Sequence, residues 1–275
     1  MKIFKLCIFV IITLLASSRF ADASLLVTPK RLVFGERDRS HEIVLINPSN
    51  TMRTYRIEWS EKKQLSSGGY RDLTAEELTR SNKASNIVRF SPRQVRLQPG
   101  ERQVVKLVAR RAANMTSGEY RSHLMFTALP SAEETVPGPV DGIQMKLNLL
   151  ISYSIPIMVN IGYQDPTVSI TSLEITPATE NKQTKAKIIL RLKKTVGFSA
   201  YGNLKAYFRP NDNADFTQVG VLNGVNFFGE TSDLTANLTW MGDMPNSKGE
   251  LKVEFVGQEE TAGKIWVSRI FDVNL

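Results

Sequence analysis

The sequence predicts an all-β chain folded as two sandwich domains, and three observations carry that expectation. Apolar residues recur at every second position in many short runs. Clusters of turn residues separate those runs, and only one stretch interrupts the pattern for long. Sandwich domains carry about seven strands per hundred residues, so 275 residues suit two of them.

Taken in order, the chain opens with an export signal, residues 1–23. Lys2 and Lys5 supply a positive start, and Leu6–Ala16 forms an apolar run too short to span a membrane. Ala21-Asp22-Ala23 has the small-x-small spacing of a signal-peptidase site. Arg19 and Asp22 close the apolar run early, which disfavours an uncleaved anchor. The expected mature chain is exported, without stable membrane insertion. Its only cysteine, Cys7, goes with the signal, so the core alone must hold it together.

In the first domain, residues 24–160, the alternating runs are Leu25–Phe34, His41–Ile46, Thr54–Trp59, Val104–Ala109, Tyr120–Ala128 and Ile143–Val159. Asn47-Pro48-Ser49-Asn50 and Gln98-Pro99-Gly100-Glu101 are strong turns between them. Ser60–Asn86 is a polar excursion in which Ala75–Arg80 forms a short helical turn. In the second domain, residues 161–275, the runs are Val168–Ile175, Ala186–Leu192, Leu204–Phe208, Asp233–Trp240, Leu251–Val256 and Ile265–Val273. Gly162 and Asp165-Pro166 mark the boundary.

Composition narrows the function. Two histidines and one cysteine leave little from which to build a zinc site, a cysteine protease or a histidine-rich centre. We therefore expect no catalytic residues, no metal and no cofactor. His41 and His123 read as packed or surface strand residues, and Tyr120 reads as either a tyrosine corner or an ordinary core tyrosine. From Ser24 to Asn160 there are 20 Lys and Arg against 13 Asp and Glu, whereas from Ile161 onward 12 face 13. Such a basic half suits nucleic acid, anionic lipid or an acidic protein partner. Nucleic acid is not expected for an exported chain, and most of these cations alternate with apolar residues as on solvated strand faces.

The unusual segment is Ile143–Val159. Its odd positions, from Ile143, Met145, Leu147 and Leu149 through Ile151, Tyr153, Ile155 and Ile157 to Val159, are all apolar or aromatic. Fully extended it reaches about 55 Å at ~3.3 Å per residue, far beyond an ordinary strand. Either it is a core strand plus the start of the interdomain connection, or its first part projects as an apolar row awaiting a partner strand.

The run from Phe90 to Val105, FSPRQVRLQPGERQVV, resembles the proline, leucine, PGE and valine signature of periplasmic pilus-assembly chaperones of the chaperone–usher pathway. Val27–Phe34, Ile46–Ser49, Gly118–Leu124 and Ser154–Ile157 are similar to further motifs of that family, most of all its archaic branch. The resemblance covers Leu25 to Val159; beyond that only length and β pattern agree. It implies two immunoglobulin-like sandwiches set as an L or boomerang. It also implies donor-strand complementation, in which the chaperone lends its long strand to a pilus or fimbrial subunit that lacks one, then delivers the complex to an outer-membrane usher. The implied groove fillers are Ile143, Met145, Leu147 and Leu149.

The resemblance further implies that Arg31 clamps the subunit's C-terminal carboxylate; without it, Arg31 is a solvated strand residue. The family's second anchor is a lysine in the long strand, and here the sequence departs, because the matching positions Leu149–Ile151 are apolar. Lys146 in a shifted register, Arg93 or Arg89 in its place, or a single anchor all remain open. So does a free-state dimer that caps its own exposed strand. The competing reading is a secreted structural sandwich protein, pilin-like or adhesin-like. A pilin is normally shorter and carries a detachable N-terminal donor segment, for which Ser24–Thr28 is too short.

Overall fold

A computed structural model describes residues 25–130, 150–178, 185–245 and 247–275. Among the described residues, sixteen strands form two sandwiches, each with its own core, and two more form a separate hairpin. The first core gathers side chains from Leu25 to Val159, the second from Val168 to Trp266.

The first sandwich opposes two antiparallel-based sheets. One has the order β1 (Leu26–Thr28), β3 (Ser40–Ile46), β9 (Arg102–Ala109), β7 (Val88–Ser91). The other has the order β2 (Leu32–Phe34), β11 (Ser152–Ile161), β10 (Gly118–Leu129), β4 (Arg53–Ser60), β8 (Gln94–Leu97). Alternation sets the faces. In β8, Val95 and Leu97 are buried while Gln94 and Arg96 face solvent, as the two-residue period of a strand requires. Each fully buried side chain of this size contributes roughly 1.5–3 kcal/mol.

The expected single run Leu25–Phe34 is two strands. The cis peptide Thr28–Pro29 lies between β1 and β2, where the chain leaves one sheet for the other. A second cis bond, Ser91–Pro92, lies at the equivalent change from β7 to β8. Proline suits such corners because it has no N–H to give a ladder.

The two turn motifs are one structural unit. Asn47 is fully buried, and its Nδ2 donates to Thr51 O at 2.8 Å and Leu97 O at 3.0 Å. Its Oδ1 accepts from Ser49 Oγ at 2.7 Å, and its backbone O from Gly100 N at 2.8 Å. Gly100 takes φ 73°, a conformation glycine adopts without steric cost. The motif residues thus tie neighbouring loops together; their role is in the scaffold.

The excursion contains a hairpin, β5 (Lys62–Gln64) with β6 (Tyr70–Asp72), and a helix α1 (Ala75–Arg80). Thr74 caps α1: its Oγ1 accepts from Glu77 N at 3.3 Å while Glu77 Oε2 accepts from Thr74 N at 3.1 Å. Arg71, Lys63 and the Thr74 amide hold the Glu77 carboxyl well below the usual carboxylate range.

The second sandwich opposes β12 (Val168–Thr176), β13 (Lys187–Lys194), β16 (Asp233–Thr239) to β15 (Thr217–Phe227), β14 (Ala200–Arg209), β17 (Lys248–Gly257), β18 (Ile265–Asn274). Strand β15 is not evident in the sequence. Register shifts in its pairing with β14 break the alternation, and Gly220 replaces a core side chain. A Cβ on Gly220 would meet Ile188, Ala206 and Leu238 at 3.4–3.5 Å.

Candidate binding site: a strand edge and the interdomain cleft

Strand β11 is covered unequally on its two sides. Strand β10 pairs with it from Gly118↔Ile161 to Thr127↔Ser152. On the other side β2 covers only Ile157, Met158 and Val159, in parallel register. Among the described residues, no strand lies against this second edge upstream of Ile157. Pro156 is compatible with such an edge, where its missing N–H breaks no ladder.

The apolar row of β11 changes environment along its length. Ile155, Ile157 and Val159 are buried in the first core, and Tyr153 packs partly against it. Ile151 and Leu150 are then 45% and 44% exposed. The row therefore leaves the core between Tyr153 and Ile151, on the uncovered edge. Ile143, Met145, Leu147, Leu149 and Lys146 lie outside the described residues.

Arg31 immediately precedes β2 and is not a solvated strand residue. It is 4% exposed and faces the second domain. Its Nη1 donates to Asn226 Oδ1 at 2.8 Å, its Nη2 pairs with Glu260 Oε1 at 2.8 Å, and its guanidinium lies 4.0 Å from the centre of the Tyr201 ring. Arg31 Nε is buried without a partner. A cavity of about 320 Å³ beside it is lined by Asn160, Tyr163, Ser199 and Glu260 among others. Asn160 Oδ1 is likewise buried and unpartnered. Such a guanidinium has fixed fork geometry and suits a carboxylate. Arg89 and Arg93 are exposed and engaged elsewhere, Arg89 donating to Ser85 O at 2.8 Å and Arg93 lying 5.5 Å from the Phe90 ring.

Three further contacts hold the domains together around this cleft. Gln64, in the excursion hairpin, reaches the second domain like a short strand: its Nε2 donates to Asn226 O at 2.6 Å and its Oε1 accepts from Phe228 N at 3.0 Å. Beside it, Ser66 O accepts from Thr235 N at 2.6 Å. The Glu119 carboxylate accepts from Ser199 N at 3.0 Å, Ser199 Oγ at 2.6 Å and Gly229 N at 3.2 Å. Burial of that carboxyl group pushes its pKa up against these stabilising donors.

Arg121 is the third bridge. It pairs with Glu230, donates to Lys62 O at 2.7 Å and lies 4.2 Å from the centre of the Phe228 ring. Its Nη1 approaches His123 Nδ1 at 3.1 Å, which needs an acceptor there. Burial, then Arg121 and Lys62, push the His123 pKa down to about 3, so the ring is neutral. Tyr120, on the same strand, donates to Thr116 O at 3.1 Å in the manner of a tyrosine corner while packing against the first core.

Sequence reasoning singled out Arg31 but not Asn160, Tyr201, Asn226 or Glu260 around it, nor Gln64 and Glu119. No local signal exists for these, since Arg31 and Asn226 are 195 residues apart. The only hint was a polar excursion too long to be a plain turn.

No family model matches the sequence, and no curated protein matches it. Comparison with solved structures returns chaperones. The CupB2 chaperone of Pseudomonas aeruginosa is 12% identical, with a TM-score of 0.44 over 91% of this chain and 100% of that one. A chain of the CsuC–CsuE chaperone–tip adhesion subunit pre-assembly complex, from archaic chaperone–usher Csu pili of Acinetobacter baumannii, is 15% identical, with a TM-score of 0.44 over 91% and 98%. A chain of the Salmonella enterica SafA pilin complex with the SafB chaperone is 12% identical, with a TM-score of 0.43 over 93% and 99%.

Proposed function

We propose that this chain is a periplasmic chaperone for pilus or fimbrial subunits, which binds an incomplete sandwich by lending it a strand and passes it to an outer-membrane usher. The observation that carries the reading is the apolar row of β11, which leaves the core at Ile151 on an edge that β2 covers only from Ile157 onward. The sequence continues the same alternation back to Ile143. In this reading Ile143, Met145, Leu147 and Leu149 fill the subunit's groove. At roughly 1.5–3 kcal/mol for each buried side chain, a few of them hold a subunit while main-chain hydrogen bonds set register. Arg31, desolvated at the mouth of the interdomain cleft, receives the subunit's C-terminal carboxylate.

The domains in this reading are residues 24–160 and 161–275 after a signal of residues 1–23. A free chain that pairs edge to edge with a second copy would cap the same row. The reading needs no metal, cofactor or catalytic group.

The test is co-purification from the native periplasm with mass spectrometry of bound chains, comparing wild type with Leu147→Glu and Ile151→Asp. A small secreted β protein recovered at equal stoichiometry, and lost in both folded variants, supports the reading. A wild-type chain that emerges alone and monomeric refutes it.

A further inference from the structure

The Arg31 site already contains a carboxylate, that of Glu260. We propose that Glu260 is a built-in substitute for a partner's terminal carboxylate, which holds the site closed in the free protein and is displaced when a peptide C-terminus enters. This rests on the reading of Arg31 as the carboxylate anchor.

The geometry favours exchange over permanent pairing. Glu260 engages only Nη2 of Arg31, at 2.8 Å. Asn226 engages Nη1, and Nε is buried with no acceptor at all. The contact with Glu260 therefore leaves one donor of a buried guanidinium unsatisfied, which is costly. A carboxylate entering side-on grips Nε and Nη2 together in the two-bond fork that guanidinium and carboxylate form best. It satisfies one donor more than Glu260 does, while Asn226 and the Tyr201 ring remain in place.

Release of Glu260 is easy for two reasons. Its side chain is 37% exposed, so its charge has water to return to. It also sits on a single 3-10 turn, Glu259–Thr261, between β17 and β18, and Glu259 there has φ 51°. That turn belongs to the second domain, whereas Arg31 belongs to the first. Displacement thus exchanges an interdomain ion pair for a contact with the partner.

Asn160 explains why a peptide end fits better than a simple anion. Its Oδ1 is buried, unpartnered and on the wall of the same cavity. A chain terminus offers both an acceptor for Arg31 Nε and, one residue back, an N–H for a carbonyl such as this. The other acids at the wall are Glu36, Asp38 and Glu119, and among the described residues none of them forms an ion pair with Arg31: Asp38 accepts from Gly35 N at 2.8 Å, and Glu119 is taken by Ser199 and Gly229.

The experiment is an NMR titration of the full chain with an N-acetylated alanine tripeptide, as the free acid and as the C-terminal amide, following the Arg31 side-chain Nε–H and the Glu260 carboxyl carbon. In wild type the free acid is expected to shift both signals, and the amide neither. Glu260→Gln is expected to bind the free acid roughly two- to fivefold more tightly, as removal of a partly exposed competing pair implies. Arg31→Lys, which keeps the charge but loses the fork, is expected to lose the preference for the acid. Equal affinity of wild type and Glu260→Gln, with an unmoved Glu260 signal, overturns the displacement while leaving the anchor standing. Absence of any preference for the acid in all three proteins overturns the anchor, and the displacement with it. The Glu260 signal in wild type keeps the test valid even if Glu260→Gln folds poorly.

Discussion

Gln64→Ala is expected to loosen the two domains without unfolding either. The side chain is buried and makes two hydrogen bonds to the backbone of β15 and the residue after it, to Asn226 O at 2.6 Å and from Phe228 N at 3.0 Å. Alanine removes both and leaves the Phe228 N–H, which is buried, without an acceptor. Each lost bond costs about 0.5–1.5 kcal/mol net, and an unsatisfied buried donor costs about 1–3 kcal/mol. Because water can refill part of the space, the interdomain coupling should fall by about 2–3 kcal/mol. At 1.4 kcal/mol per tenfold, that is a roughly 30- to 150-fold increase in opening. Native-state hydrogen exchange reads this directly. The Phe228 and Thr235 amides should exchange faster by that factor, while those in β13 and β10 keep their rates. If the Phe228 amide exchanges at the wild-type rate in Gln64→Ala, the excursion does not brace the domains and its purpose lies elsewhere.

Three other outcomes follow from the same geometry. Ile151→Asp should change the stability of the free protein by no more than about 0.5 kcal/mol by chemical denaturation, because the site is half exposed, yet abolish recovery of a partner; Ile157→Asp, in the core, should unfold the first domain. Asn47→Ala should cost about 2–4 kcal/mol in a urea titration, since it strips several buried backbone groups of their partner at once. His123 is held at a pKa of about 3 in the folded chain against 6.5 as its ordinary value. The unfolded chain therefore takes up a proton that the folded one refuses. This contribution is complete above about pH 6.5 and is lost as pH falls toward 3, at up to about 1.4 kcal/mol per pH unit. His123→Phe should flatten the pH dependence of the urea midpoint between pH 6.5 and 5.

What the sequence disclosed is what local chemistry determines. Strands such as β13 and β14 are legible because their apolar period is strict, and the Asn47 and Gly100 turns because only a few residue types make them. Helix α1 was read from Ala75–Arg80 alone, and the capping pair of Thr74 and Glu77 that starts it went unused. The corner at Pro29 was missed although the core positions change parity across it, from Leu25 and Val27 to Leu32 and Phe34; apolar residues crowd both sides of it closely enough to read as one run. Strand β15 was missed because Gly220 makes room for its neighbours' side chains. Arg31 stood out only through motif resemblance, and nothing local announced its partners. Asn226 and Glu260 come to it from the other domain, and their positions depend on how the two sandwiches meet.

The register also sets the direction of a strand that docks on the open edge with its terminal carboxylate on Arg31. Strand β2 runs parallel to β11 with Leu32 opposite Ile157, so Arg31 stands level with Pro156, where the cover of β2 begins. A partner strand that lies along β11 upstream of this point and places its C-terminal carboxylate on Arg31 must end there. It therefore points the same way as β11 and continues the line of β2. Ile151 lies five residues before Pro156, about 16 Å at ~3.3 Å per residue. A photo-crosslinker at position 151 is expected to capture the partner about five residues before its C-terminus, and one at position 154 closer still to the end. Crosslinks that move away from the partner's C-terminus as the probe moves from 151 to 154 would mean an antiparallel strand. Its carboxylate would then be carried away from Arg31, and the anchor and the edge would belong to different functions.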